Sequence, residues 1–189
     1  MTSPDGHPVL EDDPGAELDE RLHVEDLTED PRLDSEALCL CGLMWSTPAA
    51  AARVVDLLQA DDFTRPAHAA LFEILATELQ HGRPHDPASV AAVLTHQGAR
   101  HHGGLVARAL AAATTAGAAP EATGHHAVNV VTTAYRRSFH TAAAGLAQAA
   151  EQLPTDELFD HLVDTGRHQR TATERLQHLR ITLDTSRTI

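Results

Sequence analysis

Apolar residues recur at helical spacing along most of the chain, and the breaks between these series divide it into helices. Asp34 and Ser35 are N-cap residue types, and Ala37, Leu40, Cys41 and Met44 follow on one stripe, predicting a first helix to about Trp45. Thr47-Pro48 opens a second, with Val54, Val55 and Leu58 facing one way. Ala60-Asp61-Asp62-Phe63 interrupts the pattern. Thr64-Arg65-Pro66 then restarts it, with Ala67, Ala70, Leu71, Ile74, Leu75 and Leu79 on a single face until Gly82. Asp86-Pro87 caps a fourth helix carrying Val90, Val93 and Leu94 and stopped by Gly98, and Gly103-Gly104 precedes a fifth that runs to about Ala113.

Two longer series follow. Val128, Val131, Tyr135, Ala142, Leu146 and Ala149 continue to Leu153, where Pro154 ends a helix of roughly eight turns. Thr155, with Asp156 and Glu157 behind it, caps a second long helix carrying Leu158, Phe159, Leu162, Val163, Leu176 and Leu179. Gly166 and the polar run His168-Gln169-Arg170-Thr171 predict a weak point in its middle, since a mid-helix glycine costs about 1 kcal/mol relative to alanine. The expected fold is all-α: a small orthogonal bundle over residues 35–119, then a long antiparallel helical hairpin over 120–183, with a short tail at 184–189.

Composition supports helices. Hydrophobic residues make up 42% and aromatics only 3%, so Ala, Leu and Val must build the core, and these pack best as close helix pairs. Residues 1–34 are rich in proline, glycine and acids without periodicity and read as a disordered acidic tail. The net charge of -13 is concentrated there: residues 1–36 hold 13 acids and 2 arginines, against 14 acids and 12 arginines in the rest. A nearly neutral body lacks the basic stripe of a duplex-binding protein, so contact with DNA is expected to be indirect only. The absence of a long apolar run or a basic, apolar leader points to a cytoplasmic protein with no membrane partner.

Candidate chemistry is sparse. No lysine occurs anywhere, so a P-loop lysine is impossible. Cys39 and Cys41 point to different sides of a helix and read as small buried side chains. His101-His102 and His125-His126 are adjacent pairs, a poor arrangement for holding one ion, and are expected to be solvated loop residues. His68 shows no carboxylate or nucleophile at helical spacing and reads as a packed or hydrogen-bonded histidine. No catalytic, cofactor or metal residue is assigned. Arg136 and Arg137, with Arg167 and Arg170 across the hairpin, form the one patch that suggests a partner contact, against the ordinary alternative of solvated helix faces.

Four features at consistent spacing carry a family resemblance: Glu36-Ala37 with Gly42-Leu43; Asp61-Asp62-Phe63 followed by His68 and Leu71-Phe72; Gly82-Arg83-Pro84 followed by Asp86; and Gly103-Gly104. The pattern resumes at Ala127 to Val131, Tyr135 and Arg136-Arg137. In this the chain resembles the N-terminal domain of DnaB-type replicative DNA helicases. It departs at Leu105-Val106 and His126, where the family usually carries Tyr-Leu and Tyr.

The resemblance implies structural roles for Asp62, Phe63, His68, Phe72, Gly82, Pro84, Asp86, Gly103 and Gly104, with Phe63 a core plug and Asp62 a turn or cap residue. It also implies a replication (primosome) assembly module like the helicase collar: a homo-oligomer through the hairpin, with the replicative helicase and primase as partners. Such a module is no enzyme by itself, and ATP and Mg enter only if a motor domain follows in a parent protein. The alternatives are the N-terminal fragment of a complete ATP-dependent helicase, or a regulatory or primase-type helicase-binding domain.

Overall fold

In the computed structural model, residues 30–97 and 103–185 are described; the chain divides into two units at Asp30, and every described helix belongs to the second. Seven α-helices make up this unit, with no strand among the described residues: α1 Ser35–Trp45, α2 Pro48–Val55, α3 Pro66–Gln80, α4 Pro87–Gln97, α5 Gly103–Thr115, α6 Thr123–Gln152 and α7 Leu158–Thr185. Short 3-10 turns at Ala60–Asp62 and Pro120–Ala122 lead into α3 and α6. The fold is all-α, as the hydrophobic pattern predicts.

Helix α1 is the centre. Glu36, Ala37, Cys39, Leu40, Cys41, Gly42, Leu43 and Met44 are all buried, so apart from Trp45 at its end, 54% exposed, it is wrapped by α3, α5 and α6. Its start is fixed by Asp34, whose Oδ1 accepts from the Glu36 amide at 2.9 Å. At its far end the Ser46 hydroxyl donates to the Gly42 carbonyl at 2.7 Å and lies 3.2 Å from the Thr123 hydroxyl. Leu71, Leu75, Val90, Val106, Ala113, Ala127 and Val130 complete the core around it.

Helix α6, about 45 Å long at 1.5 Å per residue, begins inside this core and leaves it. Ala127, Val130 and Val131 near its start are buried, as are Leu176, Leu179 and Leu183 near the end of α7. The base of the hairpin is thus core, whereas beyond it Phe139, Phe159 and Leu162 are 46%, 71% and 49% exposed.

The structure departs from the sequence reading in several places. Helix α7 runs unbroken through Gly166, because α6 braces it: Ser138 Oγ donates to Gln169 Oε1 at 3.0 Å, Gln169 Nε2 to the Ser138 carbonyl at 3.1 Å, and Tyr135 and Thr173 share a bond at 3.0 Å. Thr155 does not cap it; residues 155–157 form a turn that reverses the chain, closed by the Glu157 amide on the Pro154 carbonyl, and the helix begins at Leu158. Gly103 and Gly104 form the first turn of α5 instead of preceding it. Of the expected tail, residues 1–29 lie outside the described residues, while Pro31–Leu33 form a turn and Asp34 the α1 cap. Helix α7 continues into the segment expected to be a tail at 184–189, as far as Thr185; residues 186–189, Gly98 and His101-His102 lie outside the described residues.

Where α1 and α6 cross, a methyl group on Gly42 would overlap the Thr123 hydroxyl and come within 3.2 Å of its backbone Cα. Gly42→Ala is therefore expected to lower stability by about 2 kcal/mol, the range for overpacking a filled core. Urea unfolding followed by circular dichroism measures this, and a change below a few tenths of a kcal/mol would show that the two helices yield there.

Candidate functional site

Four of the residues singled out by sequence, Asp62, Phe63, His68 and Phe72, meet at one corner, at the turn between α2 and α3. Asp62 closes the 3-10 turn by accepting from the Gln59 amide at 2.7 Å, which is its cap role. Phe63 is 5% exposed and its ring sits 5.0 Å from that of Phe72, tilted by 30°. Such a pair contributes about 1 kcal/mol beyond its buried area.

The buried Asp62 carboxylate is met from the far end of the chain. Arg175 on α7 forks onto it, with one guanidinium nitrogen on Oδ1 at 2.7 Å and the other on Oδ2 at 2.5 Å, the latter also donating to the Leu57 carbonyl at 3.0 Å. Asp62 in turn holds the Arg175 guanidinium above its ordinary range. No sequence signal points to Arg175, because its partner lies 113 residues away.

His68 has the carboxylate partner that helical spacing does not reveal. Its Nδ1 donates to Glu36 Oε2 at 2.9 Å, with Asp34 Oδ2 at 3.8 Å, so α1 supplies the partner to α3. Glu36 also accepts from the Thr64 amide at 2.6 Å and the Arg65 amide at 3.4 Å. Burial opposes ionisation of Glu36, but the His68 and amide hydrogen bonds outweigh it and hold the carboxyl below the usual range. Burial, followed by the Glu36 and Asp62 charges, pushes the Cys39 thiol up, so that cysteine is no nucleophile.

The two turns after α3 are likewise structural. Gly82 takes φ +65, and the Arg83 amide reaches the Glu78 carbonyl at 2.8 Å in a Schellman closure that a glycine favours. The Arg83 side chain forks onto Glu78 with two bonds of 2.7 Å. Pro84 is exposed and is followed by the buried His85, absent from the sequence reading, which donates from Nε2 to the Ser46 carbonyl at 3.1 Å. Asp86 caps α4 through the Ala88 and Ser89 amides at 3.0 and 3.1 Å. Gly104 is exposed.

The expected arginine patch divides. Arg137 turns inward, donating to the Asp61 carbonyl and, at 2.5 Å, to the Thr64 hydroxyl. Arg167 pairs with Asp164 at 2.7 Å, while Arg136 and Arg170 are exposed on the hairpin. Between this stem and the corner lies a cleft of about 470 Å³ of mixed character, lined by Tyr135, Ser138, His168 and Gln169 together with Val131 and Ala142. His125 and His126 sit in the first turns of α6 instead of in a loop, because the helix already begins at Thr123. Burial and then the His125 charge hold His126 below the usual histidine range. Among the described residues no group of three or more His, Cys, Asp or Glu is placed to hold a metal ion, and no helix is long and apolar enough to cross a membrane.

This arrangement of a buried helix, an Asp-Phe corner and a projecting hairpin can be compared with known proteins. The family model described as the DnaB-like helicase N-terminal domain matches residues 29–130. The chain belongs to this family. Among solved structures, it is similar to the crystal structure of the N-terminal domain of DnaB helicase from Mycobacterium tuberculosis, at 23% identity and TM-score 0.61, over 72% of this chain and 94% of that one. No curated protein matches the chain. Membership ties this DnaB-like domain to a helicase-related role in DNA replication.

Two predictions follow from the corner. Arg175→Ala leaves Asp62 buried without its cation and is expected to cost about 2 to 3 kcal/mol, somewhat below a fully buried pair because Arg175 keeps 30% of its side chain exposed. Arg175→Lys should restore only part of this, having no fork; equal stability of the Lys and native proteins would mean that charge alone matters. Because the Glu36 pKa is depressed on folding, its contribution is present above the unfolded carboxylate range and is lost as pH falls through the folded value. Stability measured against pH should therefore fall less steeply in acid for Glu36→Gln than for the native chain, and parallel curves would remove Glu36 as the cause.

Proposed function

We propose that this chain is an assembly module of the replication machinery, equivalent to the collar of a DnaB-type helicase. It self-associates through the α6–α7 hairpin and presents its surface to the replicative helicase and primase. The observation that carries this is the hairpin, where Phe139, Phe159 and Leu162 beyond the base, and Ile181 at the base, are exposed large apolar side chains. A monomer gains nothing from these side chains, whereas a partner surface gains about 25 cal/mol for each Å² of apolar area it covers.

The corner residues and the Gly82 turn hold the scaffold and are not ligand-binding groups. The 189 residues contain no lysine, so the chain supplies no phosphate-cradling P-loop lysine, and the proposed module does not hydrolyse ATP or unwind DNA by itself. The stem arginines Arg136 and Arg170 are its outward-facing cations for a partner.

Size exclusion coupled to light scattering, with and without the cognate primase and helicase, tests this reading. The expected result is a dimer or larger assembly, or co-elution with either protein. Leu162→Asp should weaken self-association at least tenfold while leaving the circular dichroism spectrum unchanged, because the side chain is half exposed in the single chain. A chain that stays monomeric at all concentrations and binds neither protein would sink the proposal.

A further inference from the structure

At the end of α6 away from the hairpin tip, the faces of α2, α6 and α7 enclose a cleft of about 960 Å³. Val54 of α2 and Leu183 of α7 are buried in its floor, with Ala50 and Val128 half-buried beside them. The floor is closely packed, since Leu183 stands 3.6 Å from where a Cβ on Gly124 would lie. The rim is cationic. Arg53 lies three residues from Ala50 on α2, and Arg180 three from Leu183 on α7, so each arginine shares the helix face that lines the floor.

Elsewhere this fold supplies its arginines with carboxylates: Arg65 has Asp34, Arg83 has Glu78 and Arg175 has Asp62. At the cleft it does not. Arg180 donates to the Thr132 hydroxyl at 3.3 Å, and Arg53 has no hydrogen-bond or ion-pair partner among the described residues. His125 adds a third donor, because the Asn129 side-chain amide lies 3.3 Å from its Nε2 and so places the imidazole proton on Nδ1. Glu121 is the one acid among the lining residues, and the one acid of the sequence between Asp86 and Glu151.

Cations on three separate elements around an apolar floor suit a ligand whose negative charges are spread out and whose middle is apolar. A nucleotide is the poorer match. No Phe, Tyr or Trp lines the cleft to stack a base, and the arginines are not gathered on one loop to cradle a polyphosphate. A short acidic peptide fits both parts, with an aliphatic side chain on Val54, Val128 and Leu183 and its carboxylates on the arginines. The net charge of -13 does not oppose this, because screening at physiological salt acts over about 8 Å and a ligand in the cleft meets the local groups.

We infer that this cleft is a docking site for an acidic peptide segment of a partner protein, anchored by an aliphatic side chain and held by Arg53, Arg180 and His125. It uses neither the hairpin surface nor self-association, so it stands or falls separately from the assembly reading.

The test is a fluorescence anisotropy titration of the full-length chain with a labelled peptide in which two leucines are flanked by aspartates. Arg53→Gln with Arg180→Gln should weaken binding at least tenfold. Arg136→Gln with Arg170→Gln, the same change of charge on the hairpin stem, should leave it within about twofold. All four arginines are exposed, and circular dichroism checks that helix content is equal. Glu121→Gln should tighten binding severalfold, a gain that loss of structure does not produce. Peptides with asparagine for aspartate, or serine for leucine, should each bind at least tenfold more weakly. A native chain that does not bind the peptide, or an equal loss from both arginine pairs, overturns the site. A serine peptide that binds as well as the leucine one, or tripolyphosphate that displaces the peptide at matched concentration, overturns the peptide as occupant in favour of a simple anion. Peptide binding that falls as the chain is concentrated overturns it in favour of a second copy.

Discussion

A helix buried along nearly its whole length has to be surrounded, and α1 imposes that condition on the rest of the molecule. The other helices are arranged as its coat, and their positions are set by how closely each can approach. Gly42 permits the nearest approach, with Thr123 of α6 filling the space a side chain would take. Leu71 and Leu75 of α3 and Val106 and Ala113 of α5 close the remaining sides. The two ends of α1 are polar and are used as anchors. Glu36 gathers the α3 start through two amides and His68, and Ser46 joins the His85 loop and the α6 start.

Such an anchor has to be satisfied in full, because a buried carboxylate without partners costs more than its hydrogen bonds return. Glu36 meets this with three donors, and Asp62 with the Gln59 amide and both arms of Arg175. Asp62 directly precedes Phe63 and Glu36 accepts from the Thr64 amide that follows it, so the backbone on either side of that ring is tied to a carboxylate while Phe72 meets its face. Arg175 also ties α7 to the corner across most of the sequence, adding a side-chain link between hairpin and bundle to the covalent one through residues 116–122.

Helix existence and most boundaries were legible because the spacing of Leu, Val and Ala residues is strong and proline or glycine punctuates it. Gly82 and Asp86 were legible as helix stop and cap, since those roles depend on neighbours in sequence, whereas the roles of Asp62 and Phe63 came from the family resemblance. What could not be read there depended on distant partners. Glu36 with His68, and Arg175 with Asp62, are pairs brought together only by the packing of helices. Gly166 misled for a related reason: its intrinsic cost is real, but the bonds from Ser138 and Tyr135 to Gln169 and Thr173 outweigh it. Arg137 was read as outward-facing because adjacency to Arg136 says nothing about side, and a turn of about 100° per residue separates the two.

That last pair shows how the fold divides labour between stability and assembly. Arg137 spends its guanidinium on the Asp61 carbonyl and the Thr64 hydroxyl, and Arg175 does the same for Asp62, so the stem is fixed against the corner by two forks. Above the Ser138–Gln169 level, among the described residues, no side-chain hydrogen bond joins the hairpin to the bundle, and of its apolar residues there Ala149 is buried while Ala142 and Leu146 are partly buried. A narrow pair of helices offers too little mutual surface to bury Phe159 and Leu162, whatever the rotamer. The same geometry that anchors the stem therefore leaves an apolar, small-residue surface standing at a defined angle. Covering it requires almost no further ordering of the chain, which lowers the entropic cost of association and favours a rigid partner over a flexible one.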